Sequence, residues 1–167
     1  ATWMADDGEE APPLEVGPKK GSFVFPNGAR YDGEYEMKAD AEVPEGEEAP
    51  KVMIRSGTGV YKLDDNEYEG AWQNDRMHGK GQLKFMKGSL YWGDFVENKF
   101  QGEGKYVWNH GAYYMGNWQD NKMHGDGTFV DESGRQWKGR FYNGQGPGLH
   151  TLPANKAPAQ ADPPLPA

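Results

Sequence analysis

The sequence repeats itself every 23 residues, and this period limits the possible folds more than any other feature. Each unit opens with an aromatic residue, a glycine and a second aromatic residue at alternate positions, and a Gly-x-Gly centre follows. Periods of this length are typical of proteins that stack one supersecondary element many times. The repeat glycines are Gly70, Gly79, Gly81, Gly93, Gly102, Gly104, Gly116, Gly125, Gly127 and Gly139.

Each unit has the pattern of a β-hairpin. Tyr68, Gly70 and Trp72 fall on one face of a strand, whereas the residues between them fall on the other. Polar hexamers such as QNDRMH (73–78) are predicted as one set of turns, and short glycine-ended segments such as PNG (26–28) as the other. The sequence therefore predicts an all-β fold, an elongated single-layer antiparallel sheet of stacked, solenoid-like hairpins.

Glycine within a strand normally weakens it, so the repeat glycines need their own explanation. A position without a side chain lets an aromatic ring from a neighbouring strand lie across the backbone. We expect each ring and its glycine to act together in this way.

The period divides the chain into three parts. Residues 21–149 form the array, with an acidic insertion at about 36–55 that separates Tyr35 from the next glycine pair. Residues 1–20 form an acidic N-terminal tail, and residues 150–167 form a tail rich in proline and alanine. We predict that both tails are disordered or become ordered on a partner.

Charge and composition exclude several functions. The net charge is -8, but residues 57–149 carry 11 Lys and Arg against 12 Asp and Glu, so the array is nearly neutral and nucleic acid is not expected as a partner. The chain has no cysteine and therefore no disulfide or thiolate site. With no spanning segment or signal peptide evident, we expect a cytoplasmic protein.

The Tyr-x-Gly-x-Trp or Phe opening, the Gly-x-Gly centre and the 23-residue step resemble the MORN repeat over about residues 21–149. YEGAWQNDRMHGKG (68–81) and YMGNWQDNKMHGDG (114–127) are similar to repeats of MORN proteins in ciliary and flagellar radial spokes, and WKGRFYNGQGPGL (137–149) to the end of arrays in small ciliary MORN proteins. The resemblance implies a structural scaffold whose groove docks a partner, not an enzyme.

The resemblance also suggests a location and partners. We expect an axonemal cytoskeletal subunit at a radial spoke of a cilium or flagellum, bound to other spoke proteins; a homodimer stays open, because many such arrays dimerise. The alternative is a peripheral membrane adaptor that recognises phospholipid, suggested by lysines such as Lys80, Lys84 and Lys87. Direct membrane binding is disfavoured by the overall acidity. An accessory subunit of a separate enzyme is the third hypothesis.

The aromatic stripe is the predicted site for protein–protein interaction. A helix or an extended peptide would lie in it; alternatively, the rings only cover glycines and one another. Leu83, Phe85, Tyr106, Trp108 and Phe129 would flank the stripe from the second strands. The predicted groove residues are Tyr31, Tyr35, Tyr68, Trp72, Tyr91, Phe95, Tyr114, Trp118, Trp137 and Phe141.

No catalytic, metal or cofactor site is predicted. His78 and His124 occupy equivalent positions 46 residues apart, but the intervening unit has Gln101 there and no third ligand is evident. We assign both histidines to a role in a turn or in hairpin packing.

Overall fold

The computed structural model describes residues 18–39 and 50–152. These ranges form one antiparallel sheet of eleven strands in chain order, with no helix, and this confirms the predicted fold class. The strands are β1 (Lys19–Val24), β2 (Arg30–Ala39), β3 (Lys51–Leu63), β4 (Asn66–Gln73), β5 (Arg76–Lys84), β6 (Leu90–Val96), β7 (Lys99–Val107), β8 (Tyr113–Gln119), β9 (Lys122–Val130), β10 (Gln136–Phe141) and β11 (His150–Leu152).

The sheet includes parts of the segments that the sequence assigned to the insertion and the tails. After a bulge between Gly33 and Tyr35, β2 and β3 continue to pair, with Met37 opposite Met53. The outer residues of the acidic insertion thus lengthen one hairpin, whereas residues 40–49 lie outside the described ranges. The predicted tails lie mostly outside as well, at residues 1–17 and 153–167.

The glycine-ended turns form as predicted. In the turn after β5, the Gly88 N–H donates to the Phe85 carbonyl at 2.8 Å and the Phe85 N–H donates to the Ser89 carbonyl at 2.9 Å. Gly88 has φ +85°, a left-handed conformation that glycine adopts without a steric penalty. Turns built in the same way follow β1, β7 and β9.

The other turns are much shorter than the predicted polar hexamers. Only two residues connect β6 to β7, Glu97 at φ +48° and Asn98 at φ +68°, as in a type I′ hairpin. The remaining residues of each hexamer belong to strands. His78 and His124 accordingly lie in β5 and β9, so they are not turn residues, and hairpin packing is the part of the prediction that remains.

The second residue of each short turn also bonds to the preceding hairpin. The Asn98 N–H donates to the Met77 carbonyl at 3.0 Å, and the Asn98 Oδ1 accepts the Met77 N–H at 2.8 Å. Asn121 makes the same two bonds to Phe100, at 3.2 Å and 2.7 Å. Successive short turns are therefore joined along one edge of the sheet, an arrangement we call the turn ladder.

Candidate functional site

The sheet has two different faces. The aromatic face carries the tyrosines and tryptophans of the repeat opening, and the polar face carries the residues between them, such as Glu69 and Lys80. The hydrophobic core lies on the aromatic face, where rings from neighbouring strands pack on one another, and the described residues form no second layer of secondary structure over them.

Each buried tyrosine lies across a glycine of the next strand. A Cβ added at Gly81 would meet the Tyr68 ring at 2.7 Å, closer than a real Cβ contact. The Tyr68 hydroxyl crosses the same glycine and donates to the Ala71 carbonyl at 2.8 Å. Tyr91 and Tyr114 each donate to the carbonyl three residues ahead, at 3.0 Å. The predicted pairing of ring and glycine is thus present in consecutive repeats.

The second aromatic residue of each unit packs edge-on against the tyrosines. The rings of Tyr68 and Trp72 lie 5.0 Å apart at 87°, and those of Tyr114 and Trp118 lie 5.2 Å apart at 86°. The Trp118 indole N–H donates to the Gly104 carbonyl at 3.2 Å, so its polar atom is satisfied although the ring is buried.

Burial raises the pKa of these tyrosines. The pKa of Tyr31 and that of Tyr114 rise to about 12, because the low-polarity surroundings disfavour the phenolate, and the pKa values of Tyr68 and Tyr91 rise for the same reason. At neutral pH these hydroxyls keep their protons and act as hydrogen-bond donors to the backbone.

The ten predicted groove residues differ in how far their side chains are buried. Tyr35 and Trp137 are half-buried. The other eight form the core of the chain, so their rings offer little surface to a partner, and the binding role predicted for them stays a prediction. These eight are Tyr31, Tyr68, Trp72, Tyr91, Phe95, Tyr114, Trp118 and Phe141.

A row of half-buried aromatic side chains reaches the surface from β5 to β10. Its consecutive rings lie 5.9, 4.8, 5.7 and 5.8 Å apart, so the row is continuous. Four of its members come from the flanking set that the sequence indicated, and the fifth comes from the predicted groove. We call this set the ring row: Phe85, Tyr106, Trp108, Phe129 and Trp137.

Arg55 is a site residue that the sequence analysis missed. Its guanidinium lies 4.1 Å from the Trp72 ring centroid and 5.0 Å from that of Tyr61, within the range of cation–π attraction. It is also held by Asp75, whose carboxylate accepts the Arg55 Nε–H at 2.9 Å. Only its position in the repeat could have indicated it: Arg55 precedes the glycine pair Gly57 and Gly59 by two residues, and Met77 occupies the equivalent position in the next unit.

The polar face contains a groove that the sequence did not indicate. It has a volume of about 690 Å³ and crosses the middle of the sheet from β5 to β10. Trp92 and Met115 give it an apolar lining, and Met115 is 55% exposed. We call it the polar-face groove.

Neither a candidate metal site nor a membrane-spanning helix is present in the part of the chain that the structure describes. In residues 18–39 and 50–152, no three His, Asp or Glu side chains are placed to hold one metal ion. The same residues contain no helix long and apolar enough to cross a membrane.

Fold and surface together define a repeat protein made of stacked β-hairpins with partly apolar surfaces. A family model, the MORN repeat, matches residues 68–90, 91–112 and 114–134. The chain therefore carries three MORN repeats, which contain β4 and β5, β6 and β7, and β8 and β9. The hairpins on either side continue the same register, because Gly33 pairs with Gly59 and Gly127 with Gly139.

Proposed function

We propose that this protein is a non-catalytic scaffold subunit that docks a partner protein on the ring row. The continuous surface of half-buried rings carries this proposal. Four of the rings pack on one side against the core, and Trp137 packs on Phe129. Within residues 18–39 and 50–152 no second layer covers the other side. A contiguous apolar surface of this kind is typical of a protein interaction site.

The geometry suits an apolar helix or extended segment of the partner. Phe85 lies directly after β5 and Trp137 lies on β10, so they are five strand spacings apart, a span of about 24 Å at 4.8 Å per spacing. A helix of about 16 residues, with a rise of 1.5 Å per residue, has that length. Large aromatic side chains such as Trp108 contribute strongly to such interfaces because they bury much area with few rotatable bonds.

We propose a cilium or flagellum as the location, with the protein bound to other axonemal subunits at a radial spoke. The resemblance of residues 68–81 and 114–127 to ciliary repeats supports this proposal. The alternatives are a phospholipid-recognising membrane adaptor and an accessory subunit of an enzyme. The basic patch that suggested the adaptor is weakened, since Lys80 forms an ion pair with Asp94 at 2.8 Å.

Retention of full-length variants in detergent-extracted axonemes tests the proposal. We expect Trp108→Ala with Phe129→Ala to lose more than about tenfold in retention, because truncation of two central interface rings costs about 2 kcal/mol or more. Val96→Ala is the control, since Val96 is also apolar and 42% exposed but lies beside a short turn.

The folded state of each variant is checked by urea unfolding. Full retention of a folded double variant would contradict docking on the ring row. Release of the wild-type protein with the detergent-soluble membranes would contradict the axonemal location and favour the adaptor.

A further inference from the structure

The polar-face groove has a basic wall beside its apolar lining. Trp92, Lys105, Met115, Thr128 and Lys138 follow one another across β6 to β10, each directly opposite the next. Five repeat glycines lie beside them, and their backbone forms part of the groove: Gly81, Gly93, Gly104, Gly116 and Gly127. A narrow apolar segment could therefore approach the sheet closely here.

The two lysines of this wall have no carboxylate partner within 4 Å among residues 18–39 and 50–152. Lys105 lies over the Tyr113 ring at 4.9 Å from the centroid, beside Trp92. By contrast, Lys80 on the opposite wall is paired with Asp94 at 2.8 Å. Glu103 and Asp126 also line the groove, so an acidic residue is favoured only at the wall of Lys105 and Lys138. The groove thus suits a segment with apolar residues and one acidic residue that lies at this wall.

We propose that residues 153–167 of the same chain occupy the polar-face groove. In this arrangement Pro163 and Pro164 pack on Trp92, Asp162 pairs with Lys105, and Leu165 reaches Gln82. Proline-rich segments adopt the extended polyproline II conformation at a low entropic cost and bind grooves lined by aromatic side chains. The sequence ADPPLPA (161–167) provides both the prolines and the acidic residue.

The length of the segment fits this placement. β11 ends at Leu152 and pairs with β10, so Trp92 on β6 lies five strand spacings away, about 24 Å. Pro163 follows Leu152 by eleven residues, which span about 34 Å at 3.1 Å per residue. The excess allows the chain to turn back onto the polar face.

The direction of the segment fits as well. A chain that runs from β11 towards β5 passes β7 before β6. Asp162 precedes Pro163, and correspondingly Lys105 on β7 precedes Trp92 on β6.

The N-terminal region contains a second Pro-Pro-Leu, at residues 12–14, but it is too short to use this site. Pro12 and Pro13 precede Lys19, the start of β1, by seven and six residues, which span about 22 and 19 Å at 3.1 Å per residue. β1 lies five strand spacings from β6, about 24 Å. Residues 163–165 are therefore the copy that can contact Trp92.

Disulfide trapping in the full chain tests the proposal, since the protein has no cysteine of its own. Leu165→Cys is combined with Gln82→Cys, because position 82 on β5 lies directly opposite Trp92 on β6. In the matched control it is combined with Met86→Cys, on the loop just after β5 and 56% exposed. We expect the 82–165 pair to form an intramolecular disulfide at least about tenfold faster than the 86–165 pair, because docking raises the local concentration of the thiol.

Charge reversal in the 82–165 background tests the register. Lys105→Asp should slow disulfide formation about fivefold, and adding Asp162→Lys should restore it, since a partly exposed ion pair contributes up to about this factor. Equal rates for the two cysteine pairs, or disulfides that join two chains at high dilution, would overturn the proposal. A reversal without effect would overturn the Asp162–Lys105 contact.

Discussion

At the scale of single residues, the fold depends on a tyrosine and a glycine that share one space. The Tyr91 hydroxyl donates to the Asp94 carbonyl at 3.0 Å, while its ring lies where a side chain at Gly104 would be. Glycine at this position is therefore required for packing, and the backbone bond fixes the ring across it. The same contact in neighbouring units explains why tyrosine and glycine recur together.

A double-mutant cycle tests this explanation. We expect Gly104→Ala to lower the free energy of unfolding by about 2 to 3 kcal/mol, because the added methyl overpacks the Tyr91 ring. In a Tyr91→Leu background the same change should cost less than about 1 kcal/mol, since the ring is gone. Urea unfolding measures both values. An equal cost in both backgrounds would show that the glycine serves another purpose.

At the scale of elements, the turn ladder joins each hairpin to the one before it. Asn98 supplies a left-handed backbone and an acceptor oxygen at once. The equivalent residues of other units differ. Asp75 makes both the backbone bond and the side-chain bond, to Arg55. Gly144 makes only the backbone bond, to the Met123 carbonyl at 2.8 Å. The ladder thus contains its own natural substitutions.

These natural substitutions predict the effect of mutation. Asn98→Asp should change the free energy of unfolding by less than about 0.5 kcal/mol, because the acceptor remains. Asn98→Gly should lower it by about 1 kcal/mol, since it keeps the φ angle but removes the bond to the Met77 N–H. Urea unfolding of both variants provides the comparison. A larger loss for the aspartate variant than for the glycine variant would contradict the role of the acceptor.

Periodicity predicted the sheet and its strand order, because pairs such as Gly81 with Gly93 keep their register from one unit to the next. It did not predict turn length, since polarity alone does not separate an exposed strand from a turn. The extent of ring burial was left open by the sequence, because a flat single sheet would leave rings exposed, whereas Tyr91 and Phe95 pack edge-on at 5.1 Å. Trp92 carried no signal, as its equivalents are Glu69, Met115 and Lys138.

At the scale of the whole molecule, the array is an open sheet in which each strand contacts its neighbours in sequence. Such a protein gains stability from the interfaces between adjacent units and keeps both faces accessible along its length. The aromatic face buries the repeat tyrosines and presents the ring row, and the polar face presents a separate groove. The two proposed contacts, of a partner with the ring row and of residues 153–167 with the polar-face groove, use opposite faces and are therefore independent of each other.

The central claim is that a partner contacts the ring row in the native assembly. A photo-crosslinking amino acid at Trp108 of the full-length protein, incorporated into axonemes, tests it directly; Val96 is the control position. We predict that position 108 yields a crosslink to one predominant partner protein, and that position 96 yields little of it. Equal crosslinking from both positions, or none from position 108 in a properly incorporated protein, would contradict the account.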